Sequence, residues 1–136
     1  MNTQRFRQFI ASFTRLVERS GNDERVMLQE GGRLLRELVA HDDWLPEAAA
    51  QPHPQYYQQH LLHCDPLERF SVVSFVWGPG QKTPVHDHTV WGVIGMLRGA
   101  ETATPFAVTD GKVVQAGAAV RLEPGDVELV SPTIGD

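Results

Sequence analysis

The stretch that decides the fold is Gly80-Gln81-Lys82-Thr83-Pro84-Val85-His86-Asp87-His88, and it is followed by Trp91, Gly92 and Gly99. Side chains alternate between the two faces of a β-strand, so residues two apart project from the same face. His86 and His88 have that spacing, and imidazole is the commonest metal ligand in proteins. We therefore predict a strand over Val85–His88 that presents both histidines to one metal ion.

Composition limits what the chain can be. Its 136 residues are 41% hydrophobic, which is enough for one domain with a core of its own. The net charge of −5 argues against nucleic-acid binding, which usually shows a basic stripe. The sequence has neither a long apolar span for a membrane nor the apolar core of a signal peptide. The lone cysteine, Cys64, excludes an internal disulfide and favours a cytoplasmic protein.

Helical spacing of apolar residues marks the first forty positions. One stripe comprises Phe6, Phe9, Ile10, Phe13, Leu16 and Val17, and a second comprises Val26, Met27, Leu34, Leu35, Leu38 and Val39. Ser20-Gly21-Asn22-Asp23 separates them, with Asn22 or Asp23 as the N-cap of the second helix. We expect these helices to cover one side of a sheet.

From Tyr56 onward, short apolar runs alternate with turn signals. The predicted strands are Tyr56–His63, Phe70–Trp77, Val85–His88, Trp91–Leu97, Thr102–Val108, Val113–Gln115, Val120–Leu122 and Val127–Val130. The turns between them include Gly78-Pro79-Gly80, Asp110-Gly111 and Pro124-Gly125-Asp126. Strands spaced this closely indicate an antiparallel barrel or jelly roll. We predict a single domain over 1–136, mainly β, with a helical cover over 1–45 and barrel strands over 55–136.

The spacing Gly80…His86-x-His88…Gly99 resembles the first signature of the cupin barrels. That signature normally has a glutamate after three or four intervening residues, where this chain has Gly92 and Val93. In lacking this carboxylate, the chain resembles the cysteine dioxygenase family of thiol dioxygenases, whose iron is held by three histidines. The similarity extends over 56–101 and includes Phe75-Val76-Trp77-Gly78. It implies a jelly-roll-like cupin fold and a non-haem Fe(II) that oxidises a small thiol carboxylate with O2 to its sulfinic acid.

The resemblance also assigns residues. His86 and His88 would be iron ligands. In cysteine-specific members an arginine in a Tyr-x-Arg arrangement holds the substrate carboxylate, and Tyr57-Gln58-Gln59 matches that segment. Glutamine cannot form a charged bidentate pair, so Gln59 makes the chain similar to bacterial 3-mercaptopropionate dioxygenases. Tyr57 and Trp77 would lie around the pocket.

The third ligand is not assigned by this pattern. The stretch from Pro124 to Asp136 resembles the start of the second cupin signature, so the third histidine and the closing strands are expected beyond Asp136. A chain ending there would bind iron poorly and could be inactive, unless His60 or His63 completes the site.

Two other readings stay open. A non-catalytic cupin domain would bind a small molecule or a partner chain and would lack a complete metal site. A different cupin metalloenzyme would use Zn²⁺ or Mn²⁺, although Gly92 at the glutamate position weighs against it. The sequence leaves the oligomeric state and the preference between 3-mercaptopropionate and cysteine undecided.

Overall fold

The computed structural model describes residues 1–133, which begin with two helices. Helix α1 spans Thr3–Ser20 and helix α2 spans Glu24–Val39. The side chain of Asn2 accepts a hydrogen bond from the Arg5 N–H at 3.1 Å, and Asp23 accepts from the Val26 N–H at 3.2 Å. These bonds satisfy N–H groups that lack a partner at a helix start, and they confirm Asp23 as the predicted N-cap. No helix within the described residues is long and apolar enough to cross a membrane.

The apolar stripes of the two helices form the core. Leu16 is fully buried, and Phe13 and Met27 are nearly so. Trp44 and Phe70 belong to the same cluster, and side chains from three strands pack against it, namely Leu62, Val72 and Val93. The helices therefore cover strands, as predicted.

Within residues 1–133, eight strands follow a short 3₁₀ helix at Glu47–Ala49. They are β1 Gln58–Cys64, β2 Ser71–Val76, β3 Gly92–Gly95, β4 Glu101–Ala103, β5 Phe106–Thr109, β6 Lys112–Gln115, β7 Val120–Leu122 and β8 Val127–Val130. All the pairings are antiparallel and form four two-stranded ladders: β1 with β2, β3 with β8, β4 with β7, and β5 with β6.

The last three of these ladders are nested. Strands β5 and β6 join through Asp110-Gly111, whose φ angles of 51° and 75° suit the two-residue turn that matches strand twist. Around this hairpin, Thr102 pairs with Arg121, and outside that pair Ile94 pairs with Glu128. Strands β3 to β8 thus have the connectivity of one long interrupted hairpin.

Several predicted boundaries need correction. Strands β7 and β8 have the predicted ends, but the run Thr102–Val108 is divided into two strands at Thr104-Pro105, where proline supplies no N–H to a ladder. The strand predicted at Val85–His88 is wrong, because residues 81–91 form a loop. Pro84 lies in that loop and likewise lacks an N–H.

The fold class is only partly as predicted. Residues 1–133 form no closed barrel, and the two helices hold about as many residues as the eight strands. The structure is therefore a mixed α and β arrangement rather than mainly β. N-terminal helices over antiparallel strands are confirmed.

A glycine lies where α2 packs closely against β3. A Cβ atom added to Gly95 would lie 2.8 Å from Val39 Cγ1 and 3.0 Å from Leu35 Cγ. We expect Gly95→Ala to lower the free energy of unfolding by about 1–3 kcal/mol, the usual cost of overpacking, as measured by urea denaturation. Adding Val39→Ala should make the two costs less than additive, since it removes the crowding methyl groups. Strictly additive costs would show that this contact is not tight.

Candidate metal and substrate site

One end of the β1–β2 ladder gathers three of the predicted site residues. Gln59 pairs directly with Phe75, so their side chains share a face. Tyr57 precedes β1 and Trp77 follows β2, and their rings stack with centres 4.4 Å apart. The Phe75 ring lies 6.3 Å from that of Tyr57. The exposed Gln59 side chain thus stands beside an aromatic cluster of Tyr57, Phe75 and Trp77.

The opposite face of this ladder carries different chemistry. His60 pairs with Ser74, whose hydroxyl donates to the Ala49 carbonyl at 2.8 Å. A bulge after Leu61 shifts the register, and the His63 ring lies 5.6 Å from that of Phe70 in the core. The Nε2 atoms of His60 and His63 are buried, and neither has a hydrogen-bond partner among the described residues. The structure therefore places His60 on the other side of the ladder from Gln59.

The predicted ligands lie in the histidine loop, which we define as residues 81–91. The ring centres of His86 and His88 are 5.2 Å apart, and the ring planes are inclined at 74°. His86 is exposed and His88 is half-buried. Loop geometry, rather than strand alternation, brings the two rings together.

The hydrogen bond of His86 determines which nitrogen could bind a metal. Its Nδ1 lies 2.8 Å from the Pro84 carbonyl oxygen. A carbonyl oxygen can only accept, so Nδ1 carries the proton and Nε2 keeps its lone pair. A backbone carbonyl on the second ring nitrogen is the usual way in which metal-binding histidines are oriented.

The spacing of the rings fits a shared ion. Two imidazoles bound to one metal at about 2.1 Å would place their ring centres roughly 4.6–5.3 Å apart, for angles between octahedral and tetrahedral. The observed 5.2 Å lies within that interval. The two side chains could therefore supply two neutral nitrogen ligands.

Gln81, for which no role was predicted, lies in sequence between the aromatic cluster and the histidine pair and bonds to the backbone near that cluster. The Gln81 N–H donates to the Gly78 carbonyl at 3.1 Å, and Gly80 has a φ of 77°, which with Pro79 describes a type II turn. The Gln81 side chain accepts from the Gly78 N–H at 2.6 Å and donates to the His53 carbonyl at 2.7 Å. Only the Gly78-Pro79-Gly80 turn signal pointed to this position.

A complete ligand set does not appear in the part of the chain that the structure describes. No group of three or more His, Cys, Asp or Glu side chains there is arranged to hold a metal. The end of the stretch that resembles the second cupin signature, Ile134 to Asp136, lies outside the described residues. A comparison with protein families finds no family model that matches the chain.

Proposed function

We propose that this protein is a cupin-fold thiol dioxygenase of the cysteine dioxygenase family, closest to the 3-mercaptopropionate enzymes. Its substrate would be a small thiol carboxylate, 3-mercaptopropionate or cysteine. The observation that carries the proposal is the pair of histidine rings 5.2 Å apart with His86 Nδ1 bonded to a backbone carbonyl. The aromatic cluster beside Gln59 adds a surface suited to a small organic acid.

The nested ladders support the cupin part of this proposal. A jelly roll can be described as one long antiparallel hairpin folded across itself. Strands β3 to β8 have the pairing order of such a hairpin. The histidine loop leads into β3, an outer strand of this hairpin, at Gly92. Gly92 is one of the two positions at which the first cupin signature normally has its glutamate.

The proposed metal is Fe(II), held by His86 Nε2 and a ring nitrogen of His88. When held by neutral imidazoles without a carboxylate, Fe(II) would retain its full positive charge and would supply open positions for a thiolate and O2. The overall reaction balances without another reductant, because both atoms of O2 are added to the sulfur of one thiol to give one sulfinic acid. The surrounding residues bind and orient the substrate.

Gln59 and the aromatic cluster would hold the organic part of the substrate. The Gln59 amide can donate to a carboxylate but carries no charge, so its hydrogen bond is weaker than that of an arginine. Tyr57 and Trp77 offer apolar ring surface to the short carbon chain and displace water from it. A substrate without an α-amino group matches this uncharged, aromatic surface.

Substrate preference tests this role of Gln59. We expect Gln59→Arg to shift the ratio of kcat/KM for cysteine over 3-mercaptopropionate by about tenfold towards cysteine, since arginine orients the carboxylate through charged bonds. The measurement is oxygen consumption with added Fe(II), together with sulfinate quantification by mass spectrometry. Gln58→Arg is the matched control, because Gln58 pairs with Val76 and lies on the other face of the ladder. Equal ratios in all three proteins would remove Gln59 from the substrate role.

The same assay separates the proposed enzyme from the alternative, a non-catalytic cupin binding domain. An enzyme consumes one O2 for each sulfinate formed. A binding domain would take up metal or thiol without forming sulfinate, and that result, obtained with a protein that supplies a third histidine ligand, would overturn the dioxygenase proposal.

A further inference from the structure

We infer that Gln81 is a positioning residue that fixes the orientation of the histidine loop. The inference deepens the proposed function and rests on it where His86 and His88 are treated as metal ligands. Gln81 would contact neither metal nor substrate. It would act through the backbone at the start of the loop.

The Gln81 side chain uses both ends of its amide. Oε1 accepts from the Gly78 N–H, two residues after the end of β2, and Nε2 donates to the His53 carbonyl ahead of β1. One side chain thus connects the first residue of the loop to the segment before β1 and to the segment after β2. Both bonds are partly buried, so a substitute without these groups would leave polar backbone atoms unsatisfied.

Gly78 leaves space for the Gln81 amide, and local contacts order the segment around His53. A Cβ atom on Gly78 would lie 3.1 Å from Gln81 Nε2 and 3.2 Å from its Cδ, so the missing side chain makes room for the amide. The segment that carries the His53 carbonyl is ordered by local contacts. The centres of the His53 and Tyr56 rings lie 3.7 Å apart, and the rings are stacked. His53 Nδ1 also accepts from the Gln55 N–H at 3.1 Å.

We expect the orientation of the histidine loop to depend on the bonds of Gln81. No β-ladder holds residues 81–91, so the spacing of the histidine rings is not set by strand pairing. The bond from His86 to Pro84 orients one ring locally but does not connect the loop to the rest of the protein. The bonds of Gln81 provide that connection at the start of the loop, and at its end the Trp91 ring lies 6.2 Å from that of Phe13 in the core.

Two variants of Gln81 test this inference in metal-free protein. Gln81→Met keeps the length of the side chain and removes both bonds, whereas Gln81→Glu keeps the acceptor and loses the donor to His53. We expect backbone order parameters over 82–91, measured by ¹⁵N NMR relaxation, to fall from about 0.85 to below about 0.6 in Gln81→Met. Nuclear Overhauser contacts between the two histidine rings should weaken, and Gln81→Glu should lie in between.

Gln115→Met is the matched control. Gln115 Nε2 donates to the Gly117 carbonyl at 2.7 Å, so this variant also loses a side-chain bond to the backbone, but beside β6. Its histidine loop should stay as ordered as in the wild type. An ordered loop in Gln81→Met, or equal loosening in the control, would overturn the inference; should Gln81→Met fail to fold, the Gln81→Glu result decides.

A titration with Co²⁺ alone, followed by its absorption spectrum, connects loop order to the metal. We expect Gln81→Met to raise the Kd about tenfold or more, as loss of residues that orient metal ligands typically does, and Gln115→Met to leave it unchanged. A loosened loop with unchanged Kd would overturn the positioning role. If the wild type binds no Co²⁺ while Gln81→Met still loosens the loop, the metal proposal fails and the role of Gln81 in orienting the loop stands.

Discussion

Replacing His88 with alanine is expected to weaken Fe(II) binding by at least about a hundredfold, more than the loss of a residue that only orients a ligand. The reason is that His86 and His88 would supply two of the metal's nitrogen ligands, and an ion held by one imidazole and water is bound weakly. Anaerobic isothermal titration with Fe(II) gives the affinity, and His86→Ala should show a similar loss.

His41→Ala is the control for this experiment, since His41 is exposed and lies just after α2. Its affinity for Fe(II) should equal that of the wild type. If all three variants retain wild-type affinity, the metal is bound elsewhere and the proposed site is wrong. If all three lose it equally, the binding is a general effect of surface histidines.

A large loss of stability is expected from Asp65→Ala. Asp65 is only 1% exposed. Its Oδ2 accepts from the Leu67 N–H at 3.2 Å, the Arg69 N–H at 3.1 Å and Arg69 Nε at 2.8 Å, and its Oδ1 accepts from Arg69 Nη2 at 3.0 Å. These bonds shape the turn from β1 to β2, and the substitution removes the acceptor of the partly exposed Arg69 guanidinium and of two N–H groups. We expect the Tm to fall by more than about 10 °C, measured by circular dichroism.

The charge of Asp65 also sets a pH dependence. Hydrogen bonds from the Arg69 side chain, helped by backbone N–H groups and the Arg69 charge, lower the pKa of Asp65 from 3.8 to about 2. A lowered pKa in the folded state contributes stability above the unfolded value and loses it as pH falls through the folded one. The contribution should thus be complete above about pH 4 and disappear as the pH falls to about 2.

Asp65→Asn isolates this effect, because asparagine has no carboxylate to titrate. Burial, with the nearby charge of Glu128, raises the pKa of Glu101, so Glu101 acts in the opposite direction in both proteins and cancels in the comparison. The stability difference between wild type and Asp65→Asn, from urea melts between pH 7 and 2, should narrow below pH 4. A constant difference would show that the Asp65 charge does not contribute.

The helices were predictable because their signals are local. Phe9, Phe13 and Leu16 recur at the helical period, and Asp23 caps α2 through a bond to Val26, three residues away. Strands β7 and β8 were equally predictable, since the turn at Gly125, with its φ of 96°, separates two short runs that contain valine and leucine.

The wrongly predicted strand at Val85–His88 and the unpredicted role of Gln81 have a different cause, because both depend on contacts that are not local in sequence. Val85–His88 has a strand-like alternation, but a strand needs a hydrogen-bonded neighbour, and residue spacing does not reveal whether one is present. Gln81 bonds to a carbonyl 28 residues earlier in the chain, a contact that no local pattern encodes. The pairing of Gln59 with Phe75 was likewise invisible, although alternation correctly put Tyr57 and Gln59 on one face.

The nested ladders have a consequence for how the chain reaches its native state. Once the tight turn at Asp110-Gly111 has closed β5 on β6, the ends of β4 and β7 are already near each other, and pairing them closes only short additional segments. The same holds for β3 and β8 in turn. Each step therefore has a low loop-closure entropy, although Gly92 and Val130 are far apart in sequence. If pairing proceeds outward from the β5–β6 turn, β3, the strand that follows the histidine loop, and its partner β8 would be the last of the six strands to pair.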